Sequence, residues 1–293
     1  MCTGRLGVAV VGLIMSASQG CSSWKAVAPE TLQLPVARMS PDSVAMEVTF
    51  VRVPAGETEA VEQLWQEIDE QLFTPAQRTH LNENGFRCGL VGMQLPAGLR
   101  ALLDAEQQTS ALQEANPGDI DVLKQNRRIQ CRSGRRSEIV TCTPRDEMVV
   151  LYKDDDSQMV GGKTLQQAQS VLATRCYPQG NGEVRIELTP EIHHGAPRKQ
   201  WVAGEGTFHL VTARDREVYD DLLVETTLTA GQTLVLSCTP EFGLGHNFFL
   251  DTSHGDAQQK LLLIRLAQTQ RDDLFEATLE AGSISNPPLN PAF

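Results

Sequence analysis

The sequence predicts an α+β fold: a small N-terminal strand–helix–helix–strand module followed by a mainly antiparallel β domain, either a sandwich or a curled sheet. Three patterns predict this fold. Residues 44–53 alternate apolar and polar side chains, as a half-buried strand does. Residues 57–73 carry apolar side chains at helical spacing, with an acidic opposite face. From residue 129 onward, short apolar runs alternate with Gly-rich turns, which is typical of antiparallel sheets.

The N-terminal module takes residues 44–115. After its first strand and helix, Thr74 supplies an N-cap and Pro75 a first-turn residue for a second helix. That helix ends at Asn84 and Gly85. The elements that follow are a strand at 86–91 and a helix at 96–106.

The β domain takes residues 125–280, and three of its turns predict hairpins because apolar runs flank Gly-containing loops. The predicted hairpins join 129–132 to 138–143, 173–177 to 183–189, and 218–228 to 232–238. The other predicted strands are 147–153 and 260–268, and the pattern at 167–174 is ambiguous.

The composition is that of a globular, acidic protein. Of 293 residues, 41% are hydrophobic, and 37 acidic residues against 25 basic ones give a net charge of −12. A general nucleic-acid binder needs clustered Lys and Arg to neutralise phosphates, so we expect no nucleic-acid partner. Beyond residue 21, no stretch is apolar for long enough to span a bilayer as a helix.

The N-terminus has the layout of a secretory signal. Residues 1–20 hold one charged side chain, that of Arg5, followed by an apolar run at 6–15 and then small and polar residues. The apolar run is too short for a transmembrane anchor. We therefore predict a signal peptide at 1–20 and an exported protein.

The Gly20–Cys21 junction resembles a bacterial lipobox, in which the cysteine becomes the first mature residue and carries a lipid. The resemblance implies lipidation at Cys21 and a membrane-anchored protein of the cell envelope. The alternative is ordinary cleavage after Ala17 or Ser18, which would release a soluble exported protein.

Two further segments are predicted to lack regular structure. Residues 21–43 are rich in Pro, Ser and Ala without a lasting apolar period, which is typical of a flexible tether. Residues 282–293 contain three prolines and form a disordered tail by the same reasoning.

Three segments of the second half resemble the core β domain of secretins. Residues 184–192 resemble the strand of that domain that ends in Pro, an acidic or polar residue and Ile. Residues 229–236 resemble its Gly-Gln-Thr hairpin, and residues 260–266 resemble its last apolar strand. The likeness covers about residues 130–268, and the module before it is loosely similar to the small ring-building modules that precede secretin cores.

The resemblance implies a β domain used for assembly, or as a scaffold, in the cell envelope. Its partners would be envelope proteins or further copies of itself, and its lipid would hold it at a membrane. Because no Gly-x-Ser-x-Gly or other catalytic motif occurs, we predict no enzyme, no catalytic residue and no cofactor. The alternatives are a periplasmic module that binds a small molecule or glycan near Trp65 or Trp201, and a hydrolase with a non-local site.

Five of the seven cysteines remain after the signal peptide and the lipid take one each. Cys131 and Cys142 lie on facing arms of one predicted hairpin, whereas Cys176 and Cys238 each end a strand shortly before a proline. We predict disulfides Cys131–Cys142 and Cys176–Cys238, with Cys88 free, because export permits disulfides. Buried unpaired thiols are the alternative.

Three polar clusters are candidate sites, each with a plainer explanation. His193 and His194 are neighbours, and neighbours on a strand point to opposite faces, which disfavours one shared ion. The aspartate run at 154–156 lacks the alternating ligands of a calcium loop. The arginines within 127–136 form a basic cluster in an acidic chain. We expect solvated turns at all three and predict no metal site.

Overall fold

The computed structural model describes residues 42–54, 58–113, 126–154, 159–179, 181–204, 207–252 and 257–270. The predicted signal peptide at 1–20, Cys21 and the tail at 282–293 lie outside these residues, as does nearly all of the predicted tether at 21–43. Within the described residues the prediction of an α+β fold dominated by antiparallel strands is confirmed.

The elements are numbered in chain order. The described strands are β1 (Ser43–Pro54), β2 (Phe86–Val91), β3 (Asn126–Arg132), β4 (Ser137–Val140), β5 (Arg145–Lys153), β6 (Val160–Pro178), β7 (Val184–Gly204), β8 (Thr207–Val218), β9 (Val224–Leu228), β10 (Thr233–Cys238), β11 (Leu250–Asp251) and β12 (Gln258–Gln270). The described helices are α1 (Thr58–Trp65), α2 (Pro75–Glu83), α3 (Ala97–Gln113) and α4 (Leu244–Phe249), with a short 3-10 turn at Asp220–Leu222.

The strands form two antiparallel sheets. Sheet A has the order β2-β10-β12-β1-β3, with β11 also paired to β12. Sheet B has the order β4-β6-β7-β8, with β5 also paired to β6 and β9 to β7. Because β1 pairs with β12 and β2 with β10, sheet A mixes strands of both predicted ranges. The boundary expected between 44–115 and 125–280 therefore runs through one sheet, and Met39–Phe293 form one unit.

The two sheets pack face to face over one hydrophobic core, and α1 and α3 cover the other face of sheet A. Met46 and Phe50 of β1 point into the core between the sheets. Val51 points the opposite way because successive strand residues alternate, and it packs with Trp65 of α1 and Leu99 of α3. The order of layers is thus α1 and α3, sheet A, core, sheet B, and α2 and α4 add side chains to the core.

Burial on both faces explains the apolar runs of the central strands of sheet A. All six residues of β10 are buried. The run Leu261–Ile264 in β12 is buried as well, with alternate residues in the two hydrophobic clusters. A strand covered on both faces has no solvent side to place polar residues on, so its sequence loses the alternation.

The predicted second helix is confirmed as α2, and the backbone at its end packs closely against the start of α4. The Thr74 hydroxyl accepts a hydrogen bond from Gln77 N at 3.3 Å, which caps α2. Gly85 follows α2 with a φ of +78°, in the left-handed region that favours glycine. A Cβ on Gly245 would lie 1.9 Å from the Gly85 carbonyl oxygen, so the start of α4 packs directly on this backbone.

Two of the three predicted hairpins are wrong. The segments 129–132 and 138–143 belong to different sheets, because β3 pairs with β1 whereas β4 pairs with β6. Likewise β9 pairs with β7 in sheet B, while β10 pairs with β12 and β2 in sheet A. Both Gly-containing links carry the chain from one sheet to the other. The middle prediction is confirmed, since β6 and β7 form a hairpin that begins at Pro178 opposite Val184.

The predicted helices differ in length from those observed. The helix expected at 57–73 ends at Trp65, because Asp69 forms a β-bridge with Leu90 of β2 and draws the chain onto sheet A. The helix expected at 96–106 continues to Gln113. The ambiguous segment at 167–174 lies inside the long strand β6.

Candidate functional site

Sheet B divides into two hairpins at one end. β6 and β7 pair as far as Gln169 and His193, and beyond that point each strand pairs only with its other neighbour. Hairpin I consists of β5 and the part of β6 that pairs with it, residues 145–153 and 160–168. Hairpin II consists of residues 198–204 of β7 and 207–213 of β8.

Local backbone irregularities cause this division. Gln167 in β6 has a φ of +52°, an uncommon conformation for a residue with a side chain. In β7 the register with β8 shifts between His194 and Arg198, where Gly195 has a φ of +72°. Bulges bend a strand and increase its twist, so both strands leave their common plane here.

Hairpin II has two unpaired outer edges among the described residues. No described strand pairs with residues 198–204 apart from β8, and none pairs with residues 207–213 apart from β7. Arg198 and Lys199 are both exposed although they point to opposite faces, so neither face of the hairpin is covered at this point. Hairpin I differs, since its Met148 and Val150 are buried in the core.

The end of hairpin II exposes an apolar surface, defined here by Trp201, Phe208 and Leu210. Trp201 lies directly opposite Leu210, and Phe208 is two residues from Leu210, so the three share one face. Their exposed fractions are 71%, 70% and 49%. Large apolar residues grouped on a surface mark interaction sites more often than single ones do.

The base of hairpin II carries a buried carboxylate. Glu191 is 4% exposed, and its Oε2 lies 2.6 Å from Arg136 Nη2, 3.0 Å from His193 Nε2 and 3.8 Å from Arg216 Nη1. Burial alone would raise the pKa of Glu191, but the hydrogen bonds of His193 and Arg136 and the charges of Arg136 and Arg216 outweigh it and lower this pKa. The Glu191 carboxylate therefore joins β7 to β8 and to the residue that precedes β4.

A second polar cluster joins α2 to sheet B. The Asp221 carboxylate lies 2.9 Å from His80 Nε2 and accepts a hydrogen bond from the Tyr152 hydroxyl. Burial, followed by the bond to Asp221, raises the pKa of Tyr152. Tyr, Asp and His can act as acids and bases, but a phenol held by a carboxylate keeps its proton more tightly than a free one. The cluster serves as a tie between α2, β5 and the 3-10 turn.

The candidate metal ligands are separated. His193 contacts Glu191, whereas His194 points to the other face, where its Nε2 lies 3.7 Å from Glu217. Of the aspartate run at 154–156, only Asp154 is described. In the described part of the chain, no three His, Cys, Asp or Glu side chains are grouped closely enough to hold a metal ion.

The arginines within 127–136 lie in different surroundings. Arg136 turns inward to Glu138 and Glu191, and Arg128 donates to Gln268 at 3.3 Å. Arg132 and Arg135 are exposed. Arg136 is thus held in an internal ion pair, whereas the exposed Arg128 and Arg132 lie on the same face of β3.

All five described cysteines are buried free thiols. Cys131 lies in β3 of sheet A, whereas Cys142 follows β4 of sheet B. The hairpin that was expected to pair these two cysteines is therefore not formed. Cys142 Sγ accepts a hydrogen bond from Ser170 N at 3.1 Å. Cys176, the predicted partner of Cys238, donates a hydrogen bond of 3.6 Å from its Sγ to Met46 Sδ.

An apolar cavity of about 330 Å³ lies between α1 and α3 on the outer face of sheet A. Val53, Leu64 and Leu102 line it, with the polar side chains of Gln63 and Glu67 beside them. Trp65, expected to mark a binding cleft, is 2% exposed, and the Arg87 guanidinium lies 4.6 Å from the centre of its ring. Its buried indole N–H has no hydrogen-bond partner among the described residues.

Comparison with known proteins found no matching family model, no similar curated protein and no similar solved structure. None of the described helices combines the length and the apolar character that crossing a membrane requires.

Sequence reasoning named Trp201 but missed hairpin II. The signal was present, because Trp201 and Phe208 flank Gly204-Glu205-Gly206, a short Gly-containing loop of the kind that joins hairpin strands. The polar ties at Glu191 and Asp221 gave little sequence signal, because most of their partners are far away along the chain. These partners are Arg136 for Glu191, and His80 and Tyr152 for Asp221.

Proposed function

We propose that this chain is a non-catalytic cell-envelope lipoprotein that acts as a scaffold or a secretion-system-associated assembly component. In this proposal Cys21 carries the lipid and hairpin II joins neighbouring copies of the chain. The observation that supports it is a hairpin with two unpaired edges that also presents Trp201, Phe208 and Leu210 to solvent.

A second copy of the chain is the partner that suits both edges at once. β7 and β8 run in opposite directions, so hairpins that point the same way and stand side by side place β8 of one copy antiparallel to β7 of the next. Strand addition of this kind supplies backbone hydrogen bonds, and it removes the exposed edges that otherwise favour uncontrolled aggregation. Such a contact is head-to-tail, and it closes into a ring when its rotation divides a full turn.

The test is the assembly size of the full chain, extracted with mild detergent from membranes of its own cells and measured by native mass spectrometry. The proposal predicts a multi-copy particle for the natural chain and a monomer for Phe208→Lys/Leu210→Lys. Phe242→Lys is the matched control, because Phe242 is 61% exposed and lies away from hairpin II in sequence. A natural chain that is strictly monomeric contradicts the proposal.

The alternative function, binding of a small molecule, is favoured by the cavity between α1 and α3. The cavity volume of about 330 Å³ falls in the range of ligand pockets. Trp65, whose indole N–H has no hydrogen-bond partner among the described residues, lies in the same helix as Leu64, which lines the cavity. Gly98 also lines the cavity, so Gly98→Leu should fill it. Ligands found by thermal shift should stabilise the natural chain and not this variant, and equal shifts for both would remove the cavity as the site.

A further inference from the structure

Two buried thiols meet across the core between the sheets. Cys131 lies in β3 of sheet A opposite Val44, and Cys176 lies in β6 of sheet B opposite Ile186. Both residues belong to the core between the sheets and are 1% and 0% exposed. Cys176 Sγ donates a hydrogen bond of 3.6 Å to Met46 Sδ, and Met46 shares a face of β1 with Val44, the residue opposite Cys131. β3 and β6 come within 8 Å of each other, Cα to Cα.

We propose that Cys131 and Cys176 form a disulfide that joins sheet A to sheet B. A disulfide needs Cα atoms about 4.4–6.8 Å apart and thiols that point at each other. Both thiols lie in the core between the sheets, in agreement with the second condition, and the approach of β3 to β6 agrees with the first. The disulfide would connect sheet A to sheet B covalently through β3 and β6.

The loop after Cys131 holds this geometry. Gly134 N donates a hydrogen bond of 2.9 Å to the Cys176 carbonyl oxygen, and Ser133 N donates one of 2.9 Å to Asp42. These bonds fix the chain to both sheets within three residues of Cys131. Cys142 and Cys238 are placed differently, since Cys142 accepts from Ser170 and Cys238 lies opposite Phe86 of β2.

The chemistry is a thiol–disulfide exchange with a small or protein disulfide as oxidant. The neighbouring Cys176 side chain lowers the pKa of the Cys131 thiol, burial opposes this, and the neighbouring Ser137 lowers the pKa further. Cys131 is therefore the attacking thiolate. It displaces one thiolate from the oxidant and forms a mixed disulfide. Cys176 Sγ then attacks Cys131 Sγ and releases the second thiolate, and the two protons end on the two released thiols.

The experiment uses the full chain equilibrated in glutathione buffers, with enough denaturant to allow local opening, followed by alkylation and peptide mapping. Glutathione disulfide is the oxidant, so the test does not depend on export or on assembly. The expected product links the peptides of Cys131 and Cys176, and reduction should lower the melting temperature by roughly 5–10 °C.

Variants separate this link from general effects of thiol loss. Cys131→Ser and Cys176→Ser should each abolish the redox-dependent change in melting temperature. Cys88→Ser removes another buried thiol of the same core and should keep it. Cys131–Cys142 or Cys176–Cys238 links in the natural chain would overturn the proposal, as would free thiols at all five described cysteines after equilibration with the oxidant.

Discussion

Sheet A and hairpin II are built from the same kind of strand and differ in what covers them. The central strands of sheet A are buried on both faces and paired on both edges. Hairpin II exposes both faces at Arg198 and Lys199, and its outer edges lack partners among the described strands. An isolated two-stranded hairpin is at best marginally stable in water. The comparison teaches that sheet A stabilises the fold, whereas hairpin II is available for contact with a partner.

The largest expected effect is on the free energy of unfolding, when a Trp is replaced by Ala beside sheet A and in hairpin II. Trp65→Ala should lower the free energy of unfolding by about 3–5 kcal/mol, because Trp65 is buried between α1 and sheet A. Trp201→Ala should change it by less than about 0.5 kcal/mol, because Trp201 is exposed on hairpin II. Urea unfolding of the two variants measures both values. Equal losses would mean that hairpin II belongs to the folded core.

A smaller effect is expected where hairpin II joins sheet B. Glu191→Gln removes a charge from hydrogen bonds to Arg136 and His193 and should cost about 1.5–3 kcal/mol at neutral pH. The folded state lowers the pKa of Glu191, so the charge stabilises the fold above the ordinary Glu pKa of about 4.3. That contribution is lost as the pH falls through the lower folded value.

The measurement is the difference in unfolding free energy between the natural chain and Glu191→Gln at several pH values. The difference should be largest above about pH 5 and should shrink as the pH falls below about 4. Glu138→Gln is the control, because Glu138 shares Arg136 but is exposed, so its loss should be small. A difference that grows on acidification would contradict the ion-pair account.

The smallest effect on folding is expected at the predicted lipid site. Cys21→Ser should leave the unfolding curve unchanged, because Cys21 precedes the described strands and helices. It should move the protein from the membrane fraction to the soluble one, as fractionation and intact mass would report. A protein that keeps its membrane association and its mass after this change is not anchored through Cys21.

Local sequence patterns predicted the helices and strands well, but they predicted poorly which strands pair with each other. Thr74 and Pro75 predicted the start of α2 because a cap acts on adjacent backbone. The link through Gly231, with a φ of +88°, was predicted to close a hairpin, but it joins sheet B to sheet A. A strand's alternation defines its faces and leaves open which strand it pairs with. The approach of β3, which carries Cys131, to β6, which carries Cys176, depends on that missing information.

The most direct test of the account is hydrogen exchange at hairpin II in the full chain, assembled and disassembled. In a lone hairpin about half of the amides point outward without a partner, so about half of those at 198–204 and 207–213 should exchange fast in monomeric Phe208→Lys/Leu210→Lys. The account predicts that nearly all of them exchange slowly in the natural assembly, because neighbouring strands supply acceptors. Equally fast exchange in both samples would contradict it.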